Sequence, residues 1–327
     1  MIPTANPYAF SRSPSQTATY FKCPRQWFLR YAPGQRWRSR QKGAALIQGS
    51  VYHEMMRLLL TQLDTKPIDP LDYYWWLWQG VGAQLELDQK VQYPQRESWA
   101  SYGQRGRKFW GLFVEPVLDV FAASIAPAEL PRLGSGAMPS RLVEHELRYH
   151  VGWPELCRID YAGPLWVNSR DDGWGPTLPH VGTRLLRVLL DFKTVKYEKE
   201  PTAAEIEPQL VSGQLALQNA GATVDAVGLC AFVVQERNPH IQWLLRPPYD
   251  AHELGLFVSD ATYADRAICD GQFPMIGRFT GQCDAYSGCE FKPLCFPSLK
   301  DQVEKELYRE PRAEDGADLG LTLEEFD

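Results

Sequence analysis

The chain has 327 residues, of which 44% are hydrophobic, and its formal net charge is -6. This length allows one large or two small packed domains. No run approaches the roughly 18 consecutive apolar residues of a membrane span, and residues 1–10 lack the pattern of a secretory signal. We therefore expect a cytoplasmic protein that makes no membrane contact.

The negative charge is concentrated in residues 301–327, which carry ten acidic and three basic side chains, a net charge of -7. The rest of the chain is left with about +1 (-6 minus -7), and we expect residues 301–327 to form a flexible acidic tail. Residues 1–53 contain no Asp or Glu, but they interleave aromatic residues with eight Lys or Arg. This pattern is typical either of a surface that binds phosphates and stacks bases or of a solvated face over a core helix.

The predicted elements begin with helices and continue with strands. The helices cover 13–31, 49–63, 71–87 and 106–125. After a turn-rich break at 127–139, strands are predicted at 141–151, 156–162 and 185–192, with a loop or hairpin extension at 166–182. A helix at 205–220, strands at 226–235 and 241–245 and a helix at 251–269 follow. This order predicts an α/β domain over 1–300, with a mixed central sheet flanked by helices and a mainly helical insertion at 60–140.

The most informative motif is Asp191-Phe192-Lys193 at the end of an apolar strand. Side chains alternate along a strand, so Asp191 and Lys193 share one face. Asp160 ends the preceding predicted strand. If the two strands pair, two carboxylates and one ammonium converge, and two carboxylates are the ligands that Mg²⁺ needs for phosphodiester hydrolysis. The alternative interpretation is a surface Asp–Lys pair at a strand end.

Six segments in order make the chain similar to RecB-like PD-(D/E)XK nucleases, near phage-type exonucleases and CRISPR spacer-acquisition nucleases. They are 11–31 with Cys23-Pro24, 49–53 with His53, the strand ending at Asp160, the segment 191–194, the helix from Gln209, and 289–295. Together they span residues 11–295 and imply the restriction-endonuclease-like core.

The resemblance implies a role for each matched residue. Asp160, Asp191 and His53 would bind the metal, Lys193 would be the catalytic lysine, and Gln209 would position the substrate or the lysine. Glu144 or Glu146 is a further candidate, and the sequence does not choose between them. The family usually has a Tyr four residues after the Gln. Gly213 stands there in this chain, so Gln214 is an alternative register.

The seven cysteines do not read as a disulfide framework, because their number is odd and the chain has no recognisable leader. Cys283, Cys289 and Cys295 lie in one predicted loop, and Cys23 is the remaining partner. Four thiolates suit an iron–sulfur cluster or a structural zinc. The resemblance favours a [4Fe–4S] cluster held by Cys23 and the loop 283–295. Cys157, Cys230 and Cys269 fall in predicted strands or a helix and are interpreted as core residues.

These observations predict a Mg²⁺- or Mn²⁺-dependent deoxyribonuclease, with exonuclease action favoured, in DNA repair, recombination, or phage- or CRISPR-related DNA metabolism. Its substrate would be DNA that is single-stranded or has free ends. No phosphate-binding loop of an ATP motor is recognisable, so unwinding would require a helicase, recombination or CRISPR partner protein. The alternatives are a non-catalytic DNA-binding or assembly module on the same fold and a zinc-stabilised interaction protein.

Overall fold

The structure is a computed structural model that describes residues 12–39, 41–61, 69–88, 90–92, 98–125, 141–150, 154–170, 173–180, 182–279, 281, 283–284 and 289–309. The helices within these ranges are α1 Pro14–Lys22, α2 Pro24–Tyr31, α3 Ala44–Thr61, α4 Pro70–Asp88, α5 Trp99–Ile125, α6 Pro208–Asn219, α7 Ala251–Cys269, α8 Lys292–Cys295 and α9 Val303–Glu306. The strands are β1 Trp37–Ser39, β2 Gln41–Gly43, β3 Lys90–Gln92, β4 Leu142–His150, β5 Pro154–Arg170, β6 Gly173–Pro176, β7 Arg184–Val195, β8 Ala226–Val233, β9 His240–Arg246 and β10 Leu307–Arg309.

The chain divides into two compact units, which differs from the single domain predicted over 1–300. The sheet unit comprises residues 10–18 and 41–266, and the terminal unit comprises 1–9, 19–40 and 267–327. The division arises because segments from both ends of the chain pack on each other. In the terminal unit, Trp27 stacks on Phe273 with ring centroids 5.6 Å apart, and β1 pairs antiparallel with β10.

Two features of the terminal unit depart from the predicted elements. The helix expected over 13–31 is two helices, α1 and α2, because Cys23 adopts an extended conformation before Pro24. A residue before proline is biased away from the helical region. The predicted flexible tail also starts later than residue 301, since α9 and β10 lie within it and Leu307 is buried. Residues 310–327 are outside the described ranges.

The sheet unit is built on a six-stranded mixed sheet. Strand β5 pairs antiparallel with β4 and β7, β7 pairs parallel with β8, and β8 pairs antiparallel with β9. The segment predicted as a loop or hairpin extension is a hairpin, because β5 runs on to Arg170 and pairs with β6. The mixed central sheet confirms the predicted α/β class.

Helices cover both faces of this sheet. The apolar side chains of α3, α4 and α5, among them Tyr52, Trp78 and Trp110, form one core with Phe192 and Phe232 of the sheet. A second core, on α6 and α7, contains the apolar side chains Leu189, Leu210, Leu217, Leu229 and Leu254. The described part of the predicted helical insertion is therefore a structural layer of the unit. None of the described helices has the length and apolar character needed to span a membrane.

Candidate active site

Asp160 and Asp191 lie where strands β5 and β7 separate. The antiparallel pairing of these strands ends with Tyr161 opposite Leu190, one residue before the two aspartates would face each other. Beyond this point the side chain of Asp160 replaces the backbone of β5 as the hydrogen-bond acceptor for β7. Its Oδ2 accepts a 2.7 Å hydrogen bond from the backbone amide of Phe192. Both aspartates are buried. The fork in the sheet therefore holds two carboxylates in a fixed, buried position.

Lys193 joins this site from the same face of β7 as Asp191. Its Nζ lies 2.8 Å from Asp191 Oδ2 and donates a 2.6 Å hydrogen bond to Gln209 Oε1 at the start of α6. Glu207 Oε1 is 3.7 Å from the same nitrogen. Burial alone would lower the pKa of Lys193, but Asp191 and Glu207 together outweigh burial and raise it. The lysine is therefore held as an ammonium ion.

The environment of Asp191 shifts the pKa of this acid. Burial is the largest cause and raises its pKa well above the usual range for an aspartate; Lys193 opposes the shift, while Asp160 and Glu207 add to it. Burial disfavours the charged form and nearby anions disfavour it further. A second cation near Asp191 would relieve this penalty, so the electrostatics of the site favour a bound metal ion.

The donor chemistry of the site fits a hard divalent cation. Asp191 Oδ2 is buried, and its described partner is the Lys193 ammonium at 2.8 Å. His53 on α3 places Nδ1 3.6 Å from Asp160 Oδ2. Among the described residues, no three His, Cys, Asp or Glu side chains come close enough together to hold a metal ion. Mg²⁺ keeps several waters and needs only one or two carboxylates, so Asp160 and Asp191 meet its requirement.

The structure distinguishes the two glutamines of α6. Gln209 contacts Lys193, whereas Gln214 is buried and its amide bonds the backbone N–H and C=O of Tyr249 at 2.9 and 2.8 Å. A Cβ atom at Gly213 would lie 3.0 Å from Leu189 Cδ2. The close approach of α6 to β7 thus leaves little room for a side chain at Gly213.

The two glutamates of β4 remain a prediction. Glu146 is exposed and pairs in register with Arg158 of β5. The side chain of Glu144 is outside the described part of the structure. No described contact joins Glu146 to the aspartates.

Glu207 is a residue of the site that the sequence analysis missed. The helix predicted over 205–220 placed it inside a helix, where its side chain had no reason to reach β7. Helix α6 in fact begins at Pro208, which leaves Glu207 as the N-cap residue in an extended conformation. The available signal was Pro208 itself, because proline is favoured in the first turn of a helix.

The four cysteines predicted to bind a cofactor all lie in the terminal unit. A Cβ atom at Gly277 would lie 3.4 Å from both Cys23 Sγ and Cys283 Sγ. The backbone amide of Cys289 donates a 2.9 Å hydrogen bond to Cys283 O. Burial raises the pKa of Cys295 to about 11, and Cys289, Cys23 and Cys283 also influence this thiol. The four thiols are thus near enough to repel one another as thiolates.

The cysteine group has the donor chemistry of a thiophilic centre, but not the spacing of a single-ion site. All seven cysteines are free thiols, and no three described ligand side chains are close enough together for one metal ion. Four zinc-bound sulfurs would each lie about 2.3 Å from the ion. Cys157 and Cys230 are buried in the sheet unit, as predicted.

The aromatic residues of the basic segment are divided between core and surface. Tyr20 and Trp27 are buried, so these two rings are not available to stack bases, one of the two alternatives left open by the composition. Arg30 forms an ion pair with Glu290, and Arg25 lies 5.0 Å from the ring centre of Phe28. The interleaved pattern is therefore largely that of a helix packing its aromatic face inside the terminal unit.

A second buried ionic cluster of the sheet unit was also missed. Arg12 is fully buried and its Nη1 pairs with Asp265 Oδ1 of α7. The backbone of Glu155 in β5 forms an isolated β-bridge with that of Arg12, and the Leu156 amide donates a 2.7 Å hydrogen bond to Arg12 O. Burial, with a smaller contribution from Asp265, raises the pKa of Glu155 to about 8. We call Arg12, Glu155 and Asp265 the sealed cluster, because each is at most 4% exposed.

Comparison with known proteins supports a nuclease. Residues 11–119 match the family model described as the PD-(D/E)XK nuclease superfamily. The matched segment includes His53 and ends before Asp160, and a mixed sheet flanked by helices is consistent with that fold. No curated protein gives a significant match. A solved structure titled "Crystal structure of SSO0001" is 13% identical over 77% of this chain and 98% of that chain, with a TM-score of 0.27, too low to carry an argument.

Proposed function

We propose that this chain is a Mg²⁺- or Mn²⁺-dependent deoxyribonuclease that hydrolyses phosphodiester bonds at Asp160, Asp191 and Lys193. The observation that carries the proposal is the fork between β5 and β7, where two buried carboxylates and one ammonium ion converge. The family match over residues 11–119 supports the same function independently, because it does not include these three residues.

Each side chain has a role that follows from its position. A bound divalent cation would polarise the phosphate and activate a water molecule. Asp160 and Asp191 would hold this cation, with His53 beside Asp160. The Lys193 side chain is 26% exposed, whereas that of Asp191 is only 5% exposed, so the lysine is the member that meets the substrate. Its ammonium would stabilise the charge that develops on the phosphate, and Gln209 would keep it in place.

We also propose that Cys23, Cys283, Cys289 and Cys295 hold a [4Fe–4S] cluster, with structural zinc as the alternative. The support is the grouping of the four thiols in the terminal unit. The finer assignments follow from the RecB-like resemblance: exonuclease action on DNA ends, and a helicase, recombination or CRISPR partner. We propose exonuclease action and these partners together with the cluster.

The nuclease assignment is tested with anaerobically purified protein and end-labelled single- and double-stranded DNA. We expect cleavage with Mg²⁺ or Mn²⁺, none with excess EDTA, and none by Lys193→Met protein with a wild-type circular dichroism spectrum. A wild-type protein that binds DNA but never cleaves it would instead identify a non-catalytic module. The products, single nucleotides or internal fragments, distinguish exonuclease from endonuclease action.

The cluster is tested by metal analysis and visible absorbance of matched cysteine variants. Cys23→Ser should lose the broad absorbance of an iron–sulfur centre, and Cys269→Ser, the control from the same unit, should keep it. Stoichiometric zinc in a colourless wild-type protein would favour the zinc alternative. Unchanged metal content in Cys23→Ser would remove Cys23 from the site.

A further inference from the structure

The segment that follows β7 presents an exposed aromatic ring. Tyr197 is 65% exposed, and Lys196 Nζ lies 5.3 Å from the centre of its ring. Several large aromatic side chains of the same unit, such as Tyr52, Tyr161 and Phe192, are fully buried. Tyr197 differs from these rings, because it lies at the surface with a cation beside it.

The backbone on both sides of Tyr197 is fixed. The Val234 amide donates a 2.8 Å hydrogen bond to Val195 O. The Gln242 side chain bonds both backbone groups of Lys199, accepting from its N–H at 2.8 Å and donating to its C=O at 2.9 Å. A ring carried on a fixed backbone loses little conformational entropy when it binds a ligand. These contacts thus present Tyr197 as a ready-made surface.

The ring is also close to the candidate active site. Tyr197 follows Lys193 by four residues, a distance of about 14 Å at most for an extended chain. The nearest acid in sequence, Glu198, has Oε1 3.0 Å from His240 Nε2 and is thus paired with another group. The separation of Lys193 and Tyr197 is short enough for one DNA strand to contact Lys193, Lys196 and Tyr197 together.

We propose that Tyr197 and Lys196 form a nucleotide-binding subsite next to the site of cleavage. Tyr197 stacks on an unpaired base of the DNA strand, and Lys196 binds an adjoining phosphate. Bases offer a stacking face in any sequence, and a cation beside the ring suits the phosphate backbone. A base inside a duplex already stacks on both neighbours, so this subsite selects single-stranded DNA. The inference rests on the nuclease function proposed above.

The subsite is tested first by binding, in an Asp191→Asn background that keeps the DNA intact. Fluorescence anisotropy should show that Tyr197→Ala weakens binding of a single-stranded oligonucleotide about tenfold, while Tyr197→Phe does not, because one base–aromatic stack has this magnitude. Tyr263→Ala is the matched control, since Tyr263 on α7 is 62% exposed. Lys196→Gln should lower the salt dependence of binding by about one counterion. Equal losses from Tyr197→Ala and Tyr263→Ala would overturn the subsite.

A second experiment measures cleavage of oligonucleotides that lack one base at successive positions from the scissile bond. At one position, loss of the base should raise the KM of the wild-type protein about tenfold. The same loss should leave the KM of Tyr197→Ala protein unchanged, because removing the base and removing the ring abolish the same contact. If the base and the tyrosine contribute additively at every position, the inference is wrong although the nuclease function stands. If the wild-type protein cleaves nothing, the proposed function fails, and the binding experiment still decides whether the ring stacks on DNA.

Discussion

The sheet unit contains two buried groups of ionic side chains that resemble each other electrostatically. At the fork of β5 and β7, burial raises the pKa of Asp191 in the company of Asp160 and Lys193. In the sealed cluster, burial raises the pKa of Glu155 to about 8 in the company of Asp265 and Arg12. Each group thus combines acidic side chains with one cation.

The two groups differ in their access to solvent. Lys193 is 26% exposed by side chain, and Gln209 and Glu207 beside it are also part-exposed. The cation of the sealed cluster, Arg12, is 0% exposed. A perturbed acid is therefore a poor guide to catalysis by itself, because structural ion pairs perturb pKa values equally well. What identifies the fork as the candidate site is a charged side chain that a substrate can reach.

The largest expected difference between the two groups is in catalysis. Asp191→Asn should reduce DNA cleavage by about 10³-fold or more, because it removes a metal ligand and its charge. Glu155→Gln, a change of the same chemistry in the sealed cluster, should leave the rate within a few-fold of wild type. The rates are measured with labelled DNA under single-turnover conditions. Comparable losses in both variants would show that the two groups are not functionally distinct.

For stability, in contrast to catalysis, we expect the large effect in the sealed cluster. Arg12→Met should lower the free energy of unfolding by about 3–5 kcal/mol, because it leaves the Asp265 carboxylate without its buried cation. Arg57→Met is the control: Arg57 pairs with Glu54 at 2.6 Å on the part-exposed surface of α3, and such pairs contribute about 1 kcal/mol at most. Urea unfolding followed by circular dichroism gives both values. A cost for Arg12→Met no larger than that for Arg57→Met would argue against a structural role for the sealed cluster.

The smallest effect concerns pH. Glu155 keeps its proton up to about pH 8 in the folded protein, while the unfolded chain releases it near the ordinary value of 4.5. Its contribution to stability is therefore complete below pH 4.5 and is lost as the pH rises through about 8. Between pH 7 and pH 8 we expect a loss of about 1 kcal/mol relative to Glu155→Gln, which has no such proton. Identical slopes of unfolding free energy against pH for the two proteins would contradict this.

The sequence predicted the candidate site better than its surroundings. The two-residue period of β7 placed Asp191 and Lys193 on one face. The strand end predicted at Asp160 was wrong, because β5 continues through Asp160 to Arg170. The alternation along β7 is a local pattern, and bringing Asp160 to it needs only one pairing of neighbouring strands. Gln209 was likewise within reach, because it follows the same strand by a single connection.

The features that the sequence did not predict depend on distant segments. Arg12 and Asp265 are 253 residues apart, and no periodicity links them. Strands β1 and β10 have three residues each and form only through their mutual pairing, so composition gave no signal for them. Glu207 was missed for a different reason: moving the start of one helix by a few residues changes which side chain caps it.

The position of the fork on β7 affects how well the geometry of the site is protected from local unfolding. Val188, Leu189 and Leu190 pair with β5 on one side and β8 on the other, immediately before Asp191. Backbone amides in such a doubly paired strand exchange with solvent deuterium only through the largest openings of a protein. The chemistry thus sits at the end of what we expect to be the slowest-exchanging segment of the unit. We therefore expect the spacing of Asp160 and Asp191 to be preserved through smaller, local openings of the unit.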